Sequence, residues 1–326
     1  MTGVSVPPEL AVPPAFAAGQ VADRGEAGRA WLAALPGLVE ANLARWRLRP
    51  DGAPRTGRVA LVLPVRTADG TPAALKVQPV DEENAGEPAA LRAWDGDGVV
   101  RLLDDHLDGA TGTGVLLLER LDPTRTLGSV PDDRAALEIL SGLLARLTAA
   151  PAPAGLRHLR DVAASMLDQV PHAVPRLPRD DDRRLVGACA AAVADLLPEA
   201  GDRLLHWDLH YDNVLAGGRE EWLAIDPKPL GGDPGFELLP ALWNRWDDVT
   251  AGGEVTRAVR RRFDLMVEVL GLDRQRAAGW TLGRILQEVL WEVADGATTV
   301  GPVLSAVAAA LPARAGWRRQ RRSRQW

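Results

Sequence analysis

The sequence predicts an α+β protein of two lobes, a small β-rich N-terminal lobe followed by a larger, mostly helical one. Three observations carry this. Short apolar, β-prone runs separated by glycine-containing turns occupy residues 59–118. Beyond Pro123, apolar residues recur at helical spacing almost to the end. The length, 326 residues, exceeds one domain of ordinary size.

Taken in order, residues 1–25 are rich in proline, alanine and glycine and read as a loose lead-in. From Glu26 to Trp46, Ala30, Trp31, Leu35, Leu38, Val39, Leu43 and Trp46 keep helical spacing, and Pro36 predicts a kink or two short helices. Val59–Leu63 and Ala73–Val77 flank an Asp-Gly turn at Ala68–Thr71, the pattern of a β-hairpin. Glu87–Trp94 reads as a short helix, and Val99–Leu103 and Val115–Leu118 as two further strands. A connector follows near 119–125. Asp132 can cap a helix whose Leu137, Leu140, Leu144 and Leu147 share one face. Helical patterns then cover 156–170, 180–197, 254–270, 274–294 and 302–311. Only 204–226 interrupts them, with short runs at Asn213–Ala216 and Trp222–Ile225 around Gly217-Gly218. The expected organisation is an N-terminal region and β-rich lobe at 1–121, a helical lobe at 122–316 and a basic tail at 317–326.

Composition narrows the class. Apolar residues make up 46% and charged residues 25%, which excludes a disordered, collagen-like or membrane-embedded chain. No apolar run approaches the roughly 18 residues of a spanning helix. The opening residues lack a basic cluster followed by an apolar stretch, so no secretory leader is expected. A single cysteine, Cys189, allows neither an internal disulfide nor a cysteine-based zinc site, and a cytoplasmic location is expected. The net charge of −6 argues against nucleic acid and toward cationic partners. Arg318, Arg319, Arg321, Arg322 and Arg324 crowd the terminus and read as a solvated tail. No obligate protein partner is evident. Of 38 basic residues only Lys76 and Lys228 are lysine. In a chain that uses arginine wherever a generic positive charge will do, a retained lysine points to a need for a compact point charge, as phosphate oxygens require.

The decisive segment is His206-Trp-Asp208-Leu-His210-Tyr-Asp-Asn213, followed by Ile225-Asp226-Pro-Lys228. Phosphoryl transfer needs metal-binding oxygens and an aimed hydroxyl acceptor more than covalent help. Its catalytic loop is written H-x-D-L-x-x-x-N, which His206, Asp208, Leu209 and Asn213 satisfy. Four fixed identities coincide by chance at roughly one position in 10⁵. Asp226 stands where a second metal-binding carboxylate belongs.

In these residues the chain resembles the kinase-like fold, and more closely the aminoglycoside and hydroxyurea phosphotransferase family. The resemblance extends over Trp31, Leu35-Pro36 and Trp46, Leu75-Lys76-Val77, Leu91–Gly96, Leu116–Leu121, and Ile225–Leu230 with Gly232-Asp-Pro. It implies an ATP- and Mg²⁺-dependent O-phosphotransferase for a small hydroxylated, cationic molecule, with an aminoglycoside such as streptomycin foremost and hydroxyurea, a sugar or an amino alcohol as alternatives. A catalytically inactive ATP-binding protein of the same fold would need a damaged loop, which this is not.

By the same resemblance, Asp208 would orient and deprotonate the acceptor hydroxyl. Asn213 and Asp226 would hold Mg²⁺, and Lys76 the α- and β-phosphates. His206 reads as a hydrogen-bond partner that orients the loop. Glu87 best fits the partner of Lys76, at a helix start imposed by Pro88, with Glu83 as fallback. Glu119 to Leu121 would offer backbone groups to adenine. Lys228 is equally suited to phosphoryl charge or to an ion pair within the loop. His210 and Tyr211 stand open between substrate contact and packing. Asp233, Glu237, Asp247, Asp248, Glu288 and Glu292 are candidates to attract a cationic acceptor, Glu288 and Glu292 sharing a helix face and Asp233 also suiting a helix cap. The chain departs from protein kinases in having no G-x-G-x-x-G before Lys76, only the turn Arg55–Arg58, and no Phe-Gly after Asp226.

Overall fold

The structure, a computed structural model, describes residues 12–311, so the basic tail at 317–326 lies outside the described residues. The described residues divide into two compact units, 12–96 with 100–122 and 97–99 with 123–311.

The first unit begins with helix α1 (Pro14–Arg45). Residues 14–25 are therefore helical rather than loose, because Phe16 is buried edge-on against Trp31 with ring centroids 6.1 Å apart. The break also falls elsewhere than expected. The helix runs through Pro36 and bends at Gly25, whose φ of 56° glycine adopts without strain. A six-stranded antiparallel sheet follows: β1 (Arg49–Pro50), β2 (Arg55–Thr56), β3 (Leu61–Arg66), β4 (Pro72–Pro79), β5 (Leu102–Asp108) and β6 (Thr113–Glu119). The order is β1-β3-β4-β6-β5, with β2 beside β3. Trp31, Leu35, Val39 and Leu43 of α1 form one core with Leu61, Leu63, Val65, Leu75, Val77, Val115 and Leu117 of the sheet. The indole N–H of Trp31 donates to Thr113 Oγ1 at 3.2 Å. Helix α2 (Glu87–Trp94) lies between β4 and β5 in sequence. The strand expected at Val99–Leu103 is divided. Residues 102–108 form β5, whereas Val99 bridges Ala224 in parallel and belongs to the second unit.

In the second unit, α3 (Asp133–Leu147) is capped by Asp132, whose carboxylate accepts the Arg134 and Ala135 N–H groups. The later helices are α4 (Leu159–Ala173), α5 (Asp180–Leu196), α6 (Leu238–Trp243), α7 (Trp246–Ala251), α8 (Val255–Leu270), α9 (Arg274–Ala294) and α10 (Pro302–Ala310). Helix α9 is central, buried along most of its length with α4 and α5 against it, and α3 packs on α8. Short strands punctuate the helices: β7 (Asp122–Thr126), β8 (Arg203–Leu205), β9 (Val214–Ala216), β10 (Trp222–Ala224) and β11 (Leu230–Gly232). They make two small sheets, β10-β9-β7 and β11-β8. No described helix is long and apolar enough to cross a membrane.

Candidate active site

The two short sheets of the second unit hold two loops. Residues 206–213 leave β8 and enter β9, and residues 225–229 leave β10 and enter β11, while β8 pairs with β11 and β9 with β10. The loops are cross-strapped. Lys228 N–H donates to His206 O at 3.0 Å and Ile225 N–H to Asn213 O at 2.9 Å. Asn213 Nδ2 donates to Asp208 O at 2.9 Å. His206 Nε2 lies 2.9 Å from Ile225 O, and since a carbonyl can only accept, Nε2 carries the proton. Nδ1 then faces the Asp208 N–H at 3.4 Å. Complete burial pushes the imidazole down to about 4, so it is neutral at pH 7 and both ring nitrogens are committed to backbone.

This brings Asp208, Asn213, Asp226 and Lys228 together. Asp208 is partly exposed, and its Oδ2 lies 3.4 Å from the half-exposed Lys228 Nζ. Trp207 and Asp226 have left-handed φ values of 66° and 56°. Such backbone costs a non-glycine residue roughly 1–2 kcal/mol; Trp207 precedes Asp208, and Asp226 carries the second carboxylate itself. Among the described residues no group of three or more His, Cys, Asp or Glu gathers to hold a metal. Asn213 and Asp226 are hard oxygen donors, a set that fits a cation such as Mg²⁺.

Glu288 and Glu292 lie one turn apart on α9. Burial raises the Glu288 carboxyl, with Arg284 opposing and Asp208 and Glu292 adding to the rise, so these groups share one electrostatic neighbourhood. Asp247 and Asp248 are exposed on α7, Asp248 paired with Arg245 at 2.6 Å.

Two acidic residues expected near the acceptor are enclosed instead. Asp233 is buried, caps the turn at Pro234–Glu237 by accepting Gly235 N–H at 2.8 Å, and holds Arg276 at 2.5 Å. Glu237 is wholly buried beneath the catalytic loop. Its Oε1 accepts the Trp207 N–H at 2.8 Å. Burial raises this carboxyl to about 7. Tyr211 is likewise buried, its hydroxyl 3.4 Å from Asp133 Oδ1.

In the first unit, Lys76 on β4 donates to Glu87 Oε1 and Oε2 at 2.7 and 2.8 Å. Glu87 is the first residue of α2, placed there by Pro88, and the pair is almost entirely buried. Gln78, not anticipated from sequence, donates to Glu87 Oε2 at 2.6 Å. Glu119 exchanges two bonds with Arg101: its N–H donates to Arg101 O at 3.0 Å and its Oε1 accepts Arg101 N–H at 2.8 Å. Leu121, two residues on, is buried. The turn at Arg55–Arg58 is closed by Gly57 N–H to Ala60 O at 3.0 Å.

A β-sheet unit with a buried lysine–glutamate pair, joined in one chain to a helical unit carrying the H-x-D-L-x-x-x-N loop, defines a phosphotransferase of protein-kinase-like fold. The fold aligns with the crystal structure of aminoglycoside phosphotransferase APH(4)-Ia at a TM-score of 0.58, with 16% identity, over 86% of this chain and 100% of that one. Residues 45–296 match the family model "Aminoglycoside/hydroxyurea antibiotic resistance kinase", and the chain belongs to that family. It is 56% identical over 300 residues to the streptomycin 6-kinase of Streptomyces glaucescens, covering 92% of this chain and 96% of the relative. It is 57% identical over 294 residues to the hydroxyurea phosphotransferase of Kitasatospora aureofaciens, covering 90% and 83%.

Proposed function

We propose that the protein is a cytoplasmic kinase that transfers the γ-phosphoryl group of ATP to a hydroxyl of streptomycin or a close aminoglycoside and so inactivates it. The observation that carries this reading is the 56% identity, across 92% of the chain, to a streptomycin 6-kinase.

Asp208 accepts the proton of the attacking hydroxyl and aims it, while neutral His206 holds the loop and moves no proton. Asn213 and Asp226 would hold Mg²⁺, which would neutralise charge on the phosphates. Lys76, steadied by Glu87 and Gln78, grips the α- and β-phosphates. The backbone of Glu119 to Leu121 takes the adenine edge, and the turn at Arg55–Arg58 covers the phosphates. Lys228 offsets charge on the phosphoryl group in transit. Glu288, Glu292 and Asp247 attract the acceptor.

A hydroxyurea phosphotransferase reading draws on the 57% relative. The carboxylates Glu288 and Glu292 near Asp208 favour a multiply cationic sugar over a small neutral molecule. A coupled ADP-release assay with ATP and Mg²⁺ against streptomycin, other aminoglycosides, hydroxyurea and simple sugars tests both. Streptomycin-dependent turnover, absent in Asp208→Ala while ATP still binds, is expected. Turnover on hydroxyurea alone would replace the acceptor, and turnover surviving in Asp208→Ala would refute the mechanism.

A further inference from the structure

The residue between His206 and Asp208 is a tryptophan in backbone geometry that suits glycine, with φ at 66° and 2% exposure. Groups from three distant segments hold it there. Glu237 accepts its backbone N–H at 2.8 Å, and Gln287 Oε1 accepts its indole N–H at 3.3 Å. The guanidinium carbons of Arg157 and Arg284 lie 4.5 and 5.4 Å from its ring centroid. Arg284 also donates to Gln287 Oε1 at 2.6 Å and pairs with Glu288 at 2.8 Å. It lies 5.3 Å from the ring of Trp291, whose centroid is 6.1 Å from that of Trp207.

A tryptophan that only filled the core would need neither left-handed backbone nor two guanidinium neighbours. The φ and ψ of residue 207 set the orientation of the next peptide plane, and therefore the direction in which the Asp208 side chain leaves the loop. We infer that Trp207 is a positioning residue whose ring, held by Arg157, Arg284 and Gln287, keeps the backbone before Asp208 in its left-handed state and so aims the reactive carboxylate. Arg284 joins this grip to Glu288, so one guanidinium sets both the loop and a carboxylate of the acceptor-facing helix. The inference rests on phosphoryl transfer and on no particular acceptor.

The test is steady-state kinetics of Trp207→Gly, Trp207→Phe and Arg157→Gln, each confirmed as folded by circular dichroism and urea unfolding. The acceptor is whichever one wild-type enzyme phosphorylates, so a wrong acceptor appears as absent wild-type turnover rather than as a variant defect. Glycine removes the strain and the grip together. Trp207→Gly is expected to lose about 10²-fold in kcat, the effect of a misplacement of about 1 Å, with KM for ATP and acceptor changed by less than about threefold. Trp207→Phe keeps a ring beside the guanidiniums and is expected to recover to within roughly fivefold of wild type. Arg157→Gln is expected to lower kcat roughly three- to tenfold. A folded Trp207→Gly with kcat within about twofold of wild type, or with raised KM and unchanged kcat, would overturn the inference. So would equal losses in the glycine and phenylalanine variants. If Trp207→Gly does not fold, an unchanged kcat in Arg157→Gln overturns it alone.

Discussion

Replacing Glu87 by alanine removes the carboxylate that meets Lys76 at 2.7 and 2.8 Å in a setting where the two side chains are 4% and 1% exposed. At that depth solvent screens little. Breaking a buried pair from one side is therefore expected to destabilise the first unit by about 3–5 kcal/mol. With a urea dependence of about 2 kcal/mol per M, the midpoint of that unit's transition falls by roughly 2 M. The double variant Lys76→Met, Glu87→Leu removes both charges, and most of the stability should return. Gln78, which donates to Glu87 Oε2 at 2.6 Å, loses its acceptor there and holds the recovery back by about 1–3 kcal/mol. On the proposed mechanism activity should not return, because the lysine that would grip the phosphates is gone. Urea unfolding followed by circular dichroism, with ADP release measured on the same samples, reads both quantities. A midpoint in Glu87→Ala within about 0.5 M of wild type would refute the claim that the pair is buried and mutually dependent.

Three further outcomes follow from the same coordinates. His206 is held at about 4 against an ordinary 6.5, so the unfolded chain takes up its proton first as pH falls; its contribution is complete above about pH 6.5 and declines toward pH 4, roughly 3 kcal/mol in all. Glu237, raised from 4.5 to about 7, acts oppositely, its contribution present below about pH 4.5 and lost as pH rises through 7. Glu237→Gln should therefore unmask a slope of roughly 1.4 kcal/mol per pH unit below pH 6.5 in urea titrations, where these two groups in the wild type largely cancel. Gly232→Ala would put a Cβ 2.6 Å from Leu159 Cβ and 3.0 Å from Leu205 Cδ1, and should lower stability by about 1–3 kcal/mol, visible as an earlier urea midpoint. Glu288→Gln, which can still accept from Arg284, should raise KM for a cationic acceptor roughly tenfold while leaving KM for ATP unchanged, the worth of one charge-assisted hydrogen bond.

The loop motif was legible because its residues are near in sequence and of fixed type. His206, Asp208, Asn213 and Asp226 lie within one stretch, and Lys76 stands out against an arginine-rich background. The long helices were legible through periodicity, with 274–294 found at those bounds. Contacts across the chain were not. Pro36 looked like the natural break in α1, but the bend fell at Gly25, where burial of Phe16 makes a second helical arm worthwhile. Asp233 and Glu237 looked like acceptor ligands because an acidic residue near a catalytic loop carries no mark of the side it faces. Arg276 and the Trp207 amide, 43 and 30 residues away, decide that. Gln287 lies 80 residues from Trp207, beyond any local pattern. The three-residue strands β8 and β11 are too short for alternation to register.

The main-chain straps between the two chemical loops also bear on how such an enzyme can be controlled. Ile225 donates to Asn213, Lys228 to His206, and each loop runs between the same two small sheets, β8 paired with β11 and β9 with β10. Swinging the Asp226 segment outward breaks these bonds together and uncovers His206, so the amides of Ile225 and Lys228 should exchange with solvent at one common, slow rate. Protein segments that serve as switches are drawn from the least protected parts of a fold, whereas this one is tied by two main-chain bonds and the His206 ring. An enzyme built this way has no inexpensive resting state. Its output then follows the number of molecules made and the supply of its two substrates.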